Sequence, residues 1–122
     1  MDNFIKNGIG EWVSAHTQVE QVGNNTWSIA TTQIDAYGDT VYCFVEKTGD
    51  LYKIGDDSHI LFKLDPGETD RELYQTGMEV ALGAGFDFDD DTCEISVTTD
   101  KENLAQAIIR LAQLQVAISY LG

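Results

Sequence analysis

The closing segment of the chain carries the pattern that most constrains the fold. Its apolar residues recur at alternating spacings of three and four, which is typical of a helix with one buried face: Leu104, Ala107, Leu111, Leu114, Ile118 and Leu121. Thr99 with Glu102 three residues later matches a capping box, so the helix is expected to begin just after Thr99. The remainder of the fold must provide a surface that covers this stripe.

The width of the stripe leaves two interpretations open. Ile108, Ile109 and Val116 broaden it beyond what one sheet face normally needs, and Arg110 is the only charged residue after Glu102. Such a helix is either wedged between layers of a core or exposed as a dimerisation surface. In the second case, the dimer interface is formed by Leu111, Leu114, Ile118 and Leu121.

The first half of the chain alternates between strand-forming runs and turns. Runs rich in β-branched and aromatic residues predict four strands, at residues 18–22, 26–32, 40–47 and 51–54. Gly23-Asn24-Asn25 and Thr48-Gly49-Asp50 fit the hairpin turns between them. Further along, residues 86–88 and 92–97 flank an acidic turn and predict a third hairpin. These short connections predict an antiparallel sheet.

Helical spacing of apolar residues predicts the remaining elements. One helix is expected from Asn3 to about His16, a short helical turn at 59–64 and a longer helix at 69–82. The predicted class is therefore α+β: an antiparallel sheet of about four to six strands, with an N-terminal helix, a middle helix and a long C-terminal helix packed on it. Because the chain has 122 residues and 43% apolar content, we expect a single domain, residues 1–122.

Charge is the second strong feature of the sequence. Seven basic residues stand against 21 acidic ones, which gives a net charge of −14. Between Asp65 and Glu102, twelve acids face only Arg71 and Lys101, so that segment alone carries −10. This charge repels a phosphate backbone and argues against direct binding of nucleic acid. A basic protein is the partner that it favours.

The acidic hairpin and the helix before it are the predicted partner-binding surface. The candidate residues are Asp87, Asp89, Asp90, Asp91, Glu94, Glu72 and Glu79, together with Tyr37 on a separate turn. The hairpin acids lack the ligand spacing and central glycine of a calcium loop. The competing interpretation is that they form a solvated turn and only keep the protein soluble.

Signals for catalysis or metal binding are weak. Asp35, Asp39, Asp56 and Asp57 follow strands and occupy turns, where carboxylates either cap the backbone or converge to bind a cation or share acid-base work. The two histidines and two cysteines lack the spacing of zinc or redox motifs, and reduced thiols are expected. We predict no catalytic residue, no metal ligand and no cofactor.

The N-terminal residues have neither the basic start nor the long apolar run of a secretory signal. The closing helix, the most apolar part of the chain, carries Arg110 and several glutamines, so no membrane span is predicted and no membrane partner is expected. A cytoplasmic location is the expectation.

Two stretches resemble a bacterial and phage family known as domain of unknown function 1828. Residues 27–35, 41–45 and 52–57 are similar to its pattern of T-P-F-x-D, a hydrophobic strand, and a strand ending in paired aspartates. Residues 71–121 are similar to its helix, acidic hairpin and long closing helix. Gln33 replaces the usual proline. The resemblance implies this order of elements, a single-module member, and a phage or mobile-element setting, and it implies no known activity.

Three functional hypotheses follow. The leading one is a small acidic inhibitor that blocks the basic groove of a nucleic-acid-binding effector, as anti-CRISPR proteins and other DNA mimics from phages do. The second is a homodimeric regulatory or adaptor module in which acidity only maintains solubility. The third is a carboxylate- or metal-dependent enzyme that uses Asp35, Asp56 and Asp57.

Overall fold

A six-stranded antiparallel sheet forms the centre of this computed structural model, which describes residues 2–122. Its strands lie in the order β1-β2-β3-β4-β6-β5, and every neighbouring pair is antiparallel. The strands are β1 (Gln18–Gly23), β2 (Thr26–Ile34), β3 (Thr40–Thr48), β4 (Leu51–Gly55), β5 (Asp87–Asp89) and β6 (Glu94–Thr99). All three predicted hairpins are confirmed.

The helices also confirm the predicted class and order. They are α1 (Asn3–His16), α2 (His59–Leu64), α3 (Arg71–Gly83) and α4 (Leu104–Ser119), and a short 3-10 turn at Lys101–Asn103 precedes α4. Across the described residues, no helix combines the length and the hydropathy that a membrane span requires.

Helix α4 packs across the sheet and contacts β2, β3, β4 and β6. Its side chains Leu111, Leu114 and Ile118 are buried in the same core as Ile54 and Ile95. The dimer interface proposed for these three α4 residues is therefore wrong, because the chain's own core already covers them. Of that predicted set, Leu121 alone keeps over a third of its surface exposed.

The start of α4 differs from the prediction. Thr99 belongs to β6, where it pairs with Tyr52, and so it does not act as a helix cap. Asp100 instead caps the 3-10 turn that precedes α4, and its carboxylate accepts a hydrogen bond from the N–H of Asn103 at 3.0 Å. Thr99 and Asp100 are adjacent, and both are residue types that cap helices. Strand pairing decides which of them does so, and the local sequence does not predict that pairing.

Helix α3 has capping groups at both ends. Asp70 caps its start by accepting from the N–H of Leu73 at 3.0 Å. Its C-terminus closes with a Schellman motif, in which the N–H of Gly85 donates to Leu82 and the N–H of Phe86 donates to Ala81. Gly85 has φ +90°, a conformation that glycine adopts without strain. These two caps fix where the acidic hairpin leaves the helix.

Helix α1 has the predicted bounds but lies outside the core. None of its residues is buried, and it touches the sheet at β2. Phe4, Ile5, Ile9 and Trp12 each keep more than half of their surface exposed. The helical spacing that predicted this element therefore marks an apolar face that residues 2–122 leave largely exposed.

Candidate functional site

The acidic segment folds around one open cleft. Helix α3 packs beside β5, and the α2–α3 loop and the β5–β6 turn complete the walls. The cleft, of about 620 Å³, is lined by Leu61, Phe62, Asp65, Glu68, Asp70, Arg71, Tyr74, Asp90, Asp91 and Cys93. Five acidic side chains and one basic side chain, that of Arg71, thus line the same cleft. We call this group of residues the acidic cleft.

Some of these carboxylates are engaged in holding the backbone. Asp65 accepts hydrogen bonds from the N–H groups of Thr69 and Asp70, at 3.2 and 2.9 Å. In the hairpin turn, Asp89 accepts from the N–H groups of Asp91 and Thr92 at 2.8 and 3.2 Å. These aspartates hold the backbone of the loop and the turn, and an alanine at either position removes those hydrogen bonds as well as the charge.

Tyr74 connects the two walls of the acidic cleft. Its hydroxyl donates to Asp90 Oδ1 at 3.3 Å, and its ring makes an edge-on contact with Phe88, with 5.7 Å between centroids. Desolvation is the largest cause that raises the pKa of Tyr74 to about 12, and Cys93 and Asp90 add to it. The phenol therefore remains a neutral hydrogen-bond donor at physiological pH.

The predicted partner-binding residues are not all at one place. Asp90 and Asp91 line the acidic cleft, and Asp87 and Asp89 are exposed on the adjoining strand. Glu72 and Glu79 are exposed on α3. We call the acidic cleft together with Glu72, Glu79, Asp87 and Asp89 the acidic face.

Glu94 and Tyr37 differ from the rest of the predicted set. Glu94 is held by Lys53 in an ion pair of 2.8 Å, so its charge is already partly neutralised. Tyr37 lies on the β2–β3 turn, beside a different cleft. The sequence-based assignment missed Asp65, Glu68 and Asp70, although all three belong to the segment that carries −10.

A second cleft lies where the β2–β3 turn meets α2. Lys63 Nζ is 2.7 Å from Asp35 Oδ2 and 2.9 Å from Asp39 Oδ2, and the ring of Tyr37 lies 5.5 Å from the same nitrogen. The other oxygen of Asp35 accepts from the N–H groups of Tyr37 and Asp39. This cleft, of about 540 Å³, also includes His59, whose ring stacks on Phe44.

Burial and ion pairing shift the pKa values of Asp35 and Lys63 in opposite directions. Desolvation, the largest effect, raises the pKa of Asp35, but the Lys63 hydrogen bond, two backbone N–H groups and the lysine charge outweigh it and lower the pKa. Desolvation likewise lowers the pKa of Lys63, and its hydrogen bonds to Asp35 and Asp39 outweigh it, so that pKa is raised. Both groups are therefore charged at neutral pH.

Asp56 has a separate, internal role. It is fully buried, and its carboxylate accepts from the N–H groups of Ser58, Ile60 and Ile95 at 3.0, 3.2 and 2.9 Å. Desolvation raises its pKa, and these three donors oppose that shift. The side chain joins the start of α2 to β6. Asp57, its neighbour, is exposed.

The aspartates that the enzyme hypothesis needs do not share a partner. Asp35 binds Lys63, Asp56 binds backbone N–H groups, and Asp57 is exposed to solvent. Among residues 2–122, no three His, Cys, Asp or Glu side chains are grouped so that they could hold a metal ion. The arrangement therefore presents exposed carboxylates at the acidic face, whereas Asp35 and Asp56 hold the chain's own lysine and backbone groups.

The chain was compared with curated proteins, with solved structures and with models of protein families. Neither a search of curated proteins nor a search of solved structures found a match. A family model does match residues 31–118, which include the acidic cleft and all of the second cleft except Ser28, and which exclude α1 and β1. Since this match covers well over half of the 122 residues, the chain belongs to the family described as "Domain of unknown function DUF1828".

Proposed function

We propose that this protein is a small inhibitor that binds a basic protein partner through its acidic face. The observation that carries the proposal is the acidic cleft, which five carboxylates from two parts of the chain line together with a single basic side chain, that of Arg71. Unlike a random excess of surface acids, these charges line a concave surface. A concave surface of one charge sign focuses the field on whatever enters it.

Several charges of the acidic face remain available to a partner. Glu68, Glu72, Glu79, Asp87 and Asp91 are exposed, and none of them forms an ion pair with another of residues 2–122. Arginine and lysine side chains of a partner are the groups that these carboxylates fit, since charge-assisted hydrogen bonds to carboxylates are the strong ones. Association would be fast at low ionic strength and slower as salt screens the attraction.

The most specific version of the proposal is mimicry of a nucleic acid. A protein that binds DNA or RNA carries a basic groove, and an acidic protein that occupies this groove excludes the nucleic acid. The family's phage or mobile-element setting, which the resemblance implies, is compatible with an anti-defence role of the anti-CRISPR type. The partner class is therefore a nucleic-acid-binding effector of the host.

The test begins with capture of host proteins on the immobilised chain at low and at high salt, followed by mass spectrometry. A captured candidate is then titrated with the wild type and with a triple variant, Glu72→Gln, Asp87→Asn and Asp91→Asn. Side-chain hydrogen bonds involving these three carboxylates are absent from the described residues, so their neutralisation removes charge without removing a cap. We expect the affinity to fall at least tenfold.

The matched control neutralises three exposed acids that do not belong to the acidic face: Glu20→Gln, Glu46→Gln and Asp50→Asn. It changes the net charge by the same amount, so it separates a local acidic face from total charge. Equal losses in both triple variants, or binding that does not weaken between 50 and 500 mM salt, would contradict the proposal. Nucleic acid that competes with the protein for the captured partner would support the mimicry version.

A further inference from the structure

We infer that the apolar face of α1 is the interface of a homodimer. This face consists of Phe4, Ile5, Ile9, Trp12 and Val13, with exposed fractions of 72, 53, 62, 54 and 38%. It lies at the opposite end of the sheet from the acidic face and does not depend on the function proposed above. It is also a different surface from the stripe of α4, which the core covers.

The spacing within α1 indicates that these side chains act together. Ile5, Ile9 and Trp12 follow one another at intervals of four and three, so they project from one side of the helix, and Val13 and Phe4 flank them. Intervals of four and three are those by which two helices interdigitate. The apolar side of α1 can therefore pack against the same side of a second α1 helix.

The helix needs such a partner in order to persist. It has 14 residues, two of them glycines, and none is buried against the rest of the chain. Isolated helices shorter than about 12–15 residues are marginal in water even in alanine-rich sequences. Gly8 and Gly10 each weaken it further, and a Cβ at either position would meet nothing within the chain. Packing against a second copy therefore stabilises α1, which the rest of the chain does not bury.

The area of the face fits a standard dimer. At about 100–200 Å² for each large side chain, the exposed fractions amount to roughly 500 Å² of apolar surface per copy. A standard interface buries about 800 Å² per partner, of which roughly 60% is apolar. The five side chains of α1 therefore provide the apolar part of one such interface, and a second copy presents an identical face for two-fold pairing.

The charge distribution of the chain also permits a second copy to bind at α1. Residues 3–34 carry only Lys6, Glu11 and Glu20 as charged groups, although the whole chain has a net charge of −14. Helix α1 contacts β2, while the acidic turn follows β5 at the far edge of the sheet. Four strand spacings of roughly 4.8 Å separate β2 from β5, about 19 Å. This exceeds twice the Debye length of about 8 Å at physiological salt, so the acidic faces of the two copies do not oppose pairing.

The test is the mass of the intact chain in solution, measured by sedimentation equilibrium between 1 and 100 μM. Ile9→Asp is compared with Ile109→Asp, because both replace an isoleucine on a helix and the two side chains have exposed fractions of 62 and 57%. We expect a dimer for the wild type and for Ile109→Asp, and at least a hundredfold weaker dimer for Ile9→Asp. Thermal unfolding of Ile9→Asp checks that its sheet is intact, as it should be because Ile9 is not in the core.

Trp12 provides an independent readout. Dilution of the wild type should shift tryptophan emission to longer wavelength as Trp12 becomes hydrated, and Ile9→Asp should show the shifted emission at every concentration. The dimer should not weaken with added salt, whereas binding through the acidic face should weaken. A wild-type monomer at 100 μM, or a dimer that Ile9→Asp leaves unchanged, would overturn the inference without affecting the proposed function.

Discussion

Lys63 Nζ donates to Asp35 Oδ2 at 2.7 Å and thereby joins α2 to the end of β2 across 28 residues of sequence. The side chain of Asp35 is 3% exposed, and that of Lys63 is 32% exposed. A second lysine, Lys53, forms an ion pair of similar length with Glu94 at 2.8 Å, and the side chains of that pair are 47 and 23% exposed. The two pairs therefore differ in solvent access and hardly at all in distance.

This difference predicts unequal effects on stability. Lys63→Met leaves the Asp35 carboxylate buried without its cation, and we expect a loss of about 1–3 kcal/mol in the free energy of unfolding. Lys53→Met removes a solvated pair and should cost less than about 1 kcal/mol. Urea unfolding of both variants measures the comparison. Equal losses would show that the buried position of Asp35 does not matter.

The same pair predicts how stability depends on pH. The pKa of Asp35 is lower in the folded chain than the ordinary value of 3.8. Its contribution to stability is therefore complete above that ordinary value and is lost as the pH falls through the lower, folded pKa. The pKa of Lys63 is raised above 10.5, so its contribution is complete below 10.5 and is lost as the pH rises through the folded value.

Urea unfolding of the wild type and Lys63→Met at a series of pH values isolates this contribution. We expect the stability difference between the two proteins to be constant between about pH 5 and 9 and to shrink below about pH 4. A difference that grew on acidification would have the wrong sign for a lowered carboxyl pKa and would exclude the pairing as its source.

Local patterns predicted the elements of this fold well, and long-range pairing decided the rest. The period of apolar residues located α1 and α4, but it could not tell that α4 is covered by the sheet while α1 is left uncovered. Thr99 has the local chemistry of a cap and is instead recruited by pairing with Tyr52. The partner of Asp35 was not predictable for the same reason, since no local rule connects residues 28 positions apart.

The predicted site shows the same division. The charge of the segment between Asp65 and Glu102 was evident from composition. Its arrangement into a cleft depends on where α3 packs against β5, which places Asp65 and Asp70 across from Asp90 and Asp91. Composition therefore predicted the sign of the charge on this surface, and tertiary packing determined the shape of the surface.

Asp56 and Asp57 are neighbours whose substitutions should behave differently. Asp56→Asn places an NH2 group where a carboxylate oxygen now accepts a backbone N–H, so at least one of the bonds to Ser58, Ile60 or Ile95 is lost. We expect a loss of about 1–3 kcal/mol in the free energy of unfolding. Asp57 is exposed and has φ +53°, which asparagine tolerates, so Asp57→Asn should change stability by less than about 0.5 kcal/mol.

Thermal or urea unfolding of these two variants tests the assignment of Asp56 as a structural cap. A large effect of Asp57→Asn with a small effect of Asp56→Asn would reverse it. Because both substitutions remove one negative charge from adjacent positions, the change in net charge cannot explain a difference between them.

The two thiols should differ sharply in reactivity. Cys43 is fully buried, with its Sγ 3.6 Å from the carbonyl oxygen of Ile108, and desolvation, followed by the charge of Asp56, raises its pKa to about 12. Cys93 lies on the acidic hairpin, is partly exposed, and lines the acidic cleft. Since the thiolate is the reactive form and must also be reachable, iodoacetamide should modify Cys93 alone in the folded protein.

Intact-mass spectrometry at pH 8 should show one addition in the wild type, none in Cys93→Ser, and two in the wild type after denaturation in urea. Modification of Cys43 at the rate of Cys93 would mean that α4 opens from the sheet far more often than its buried packing implies.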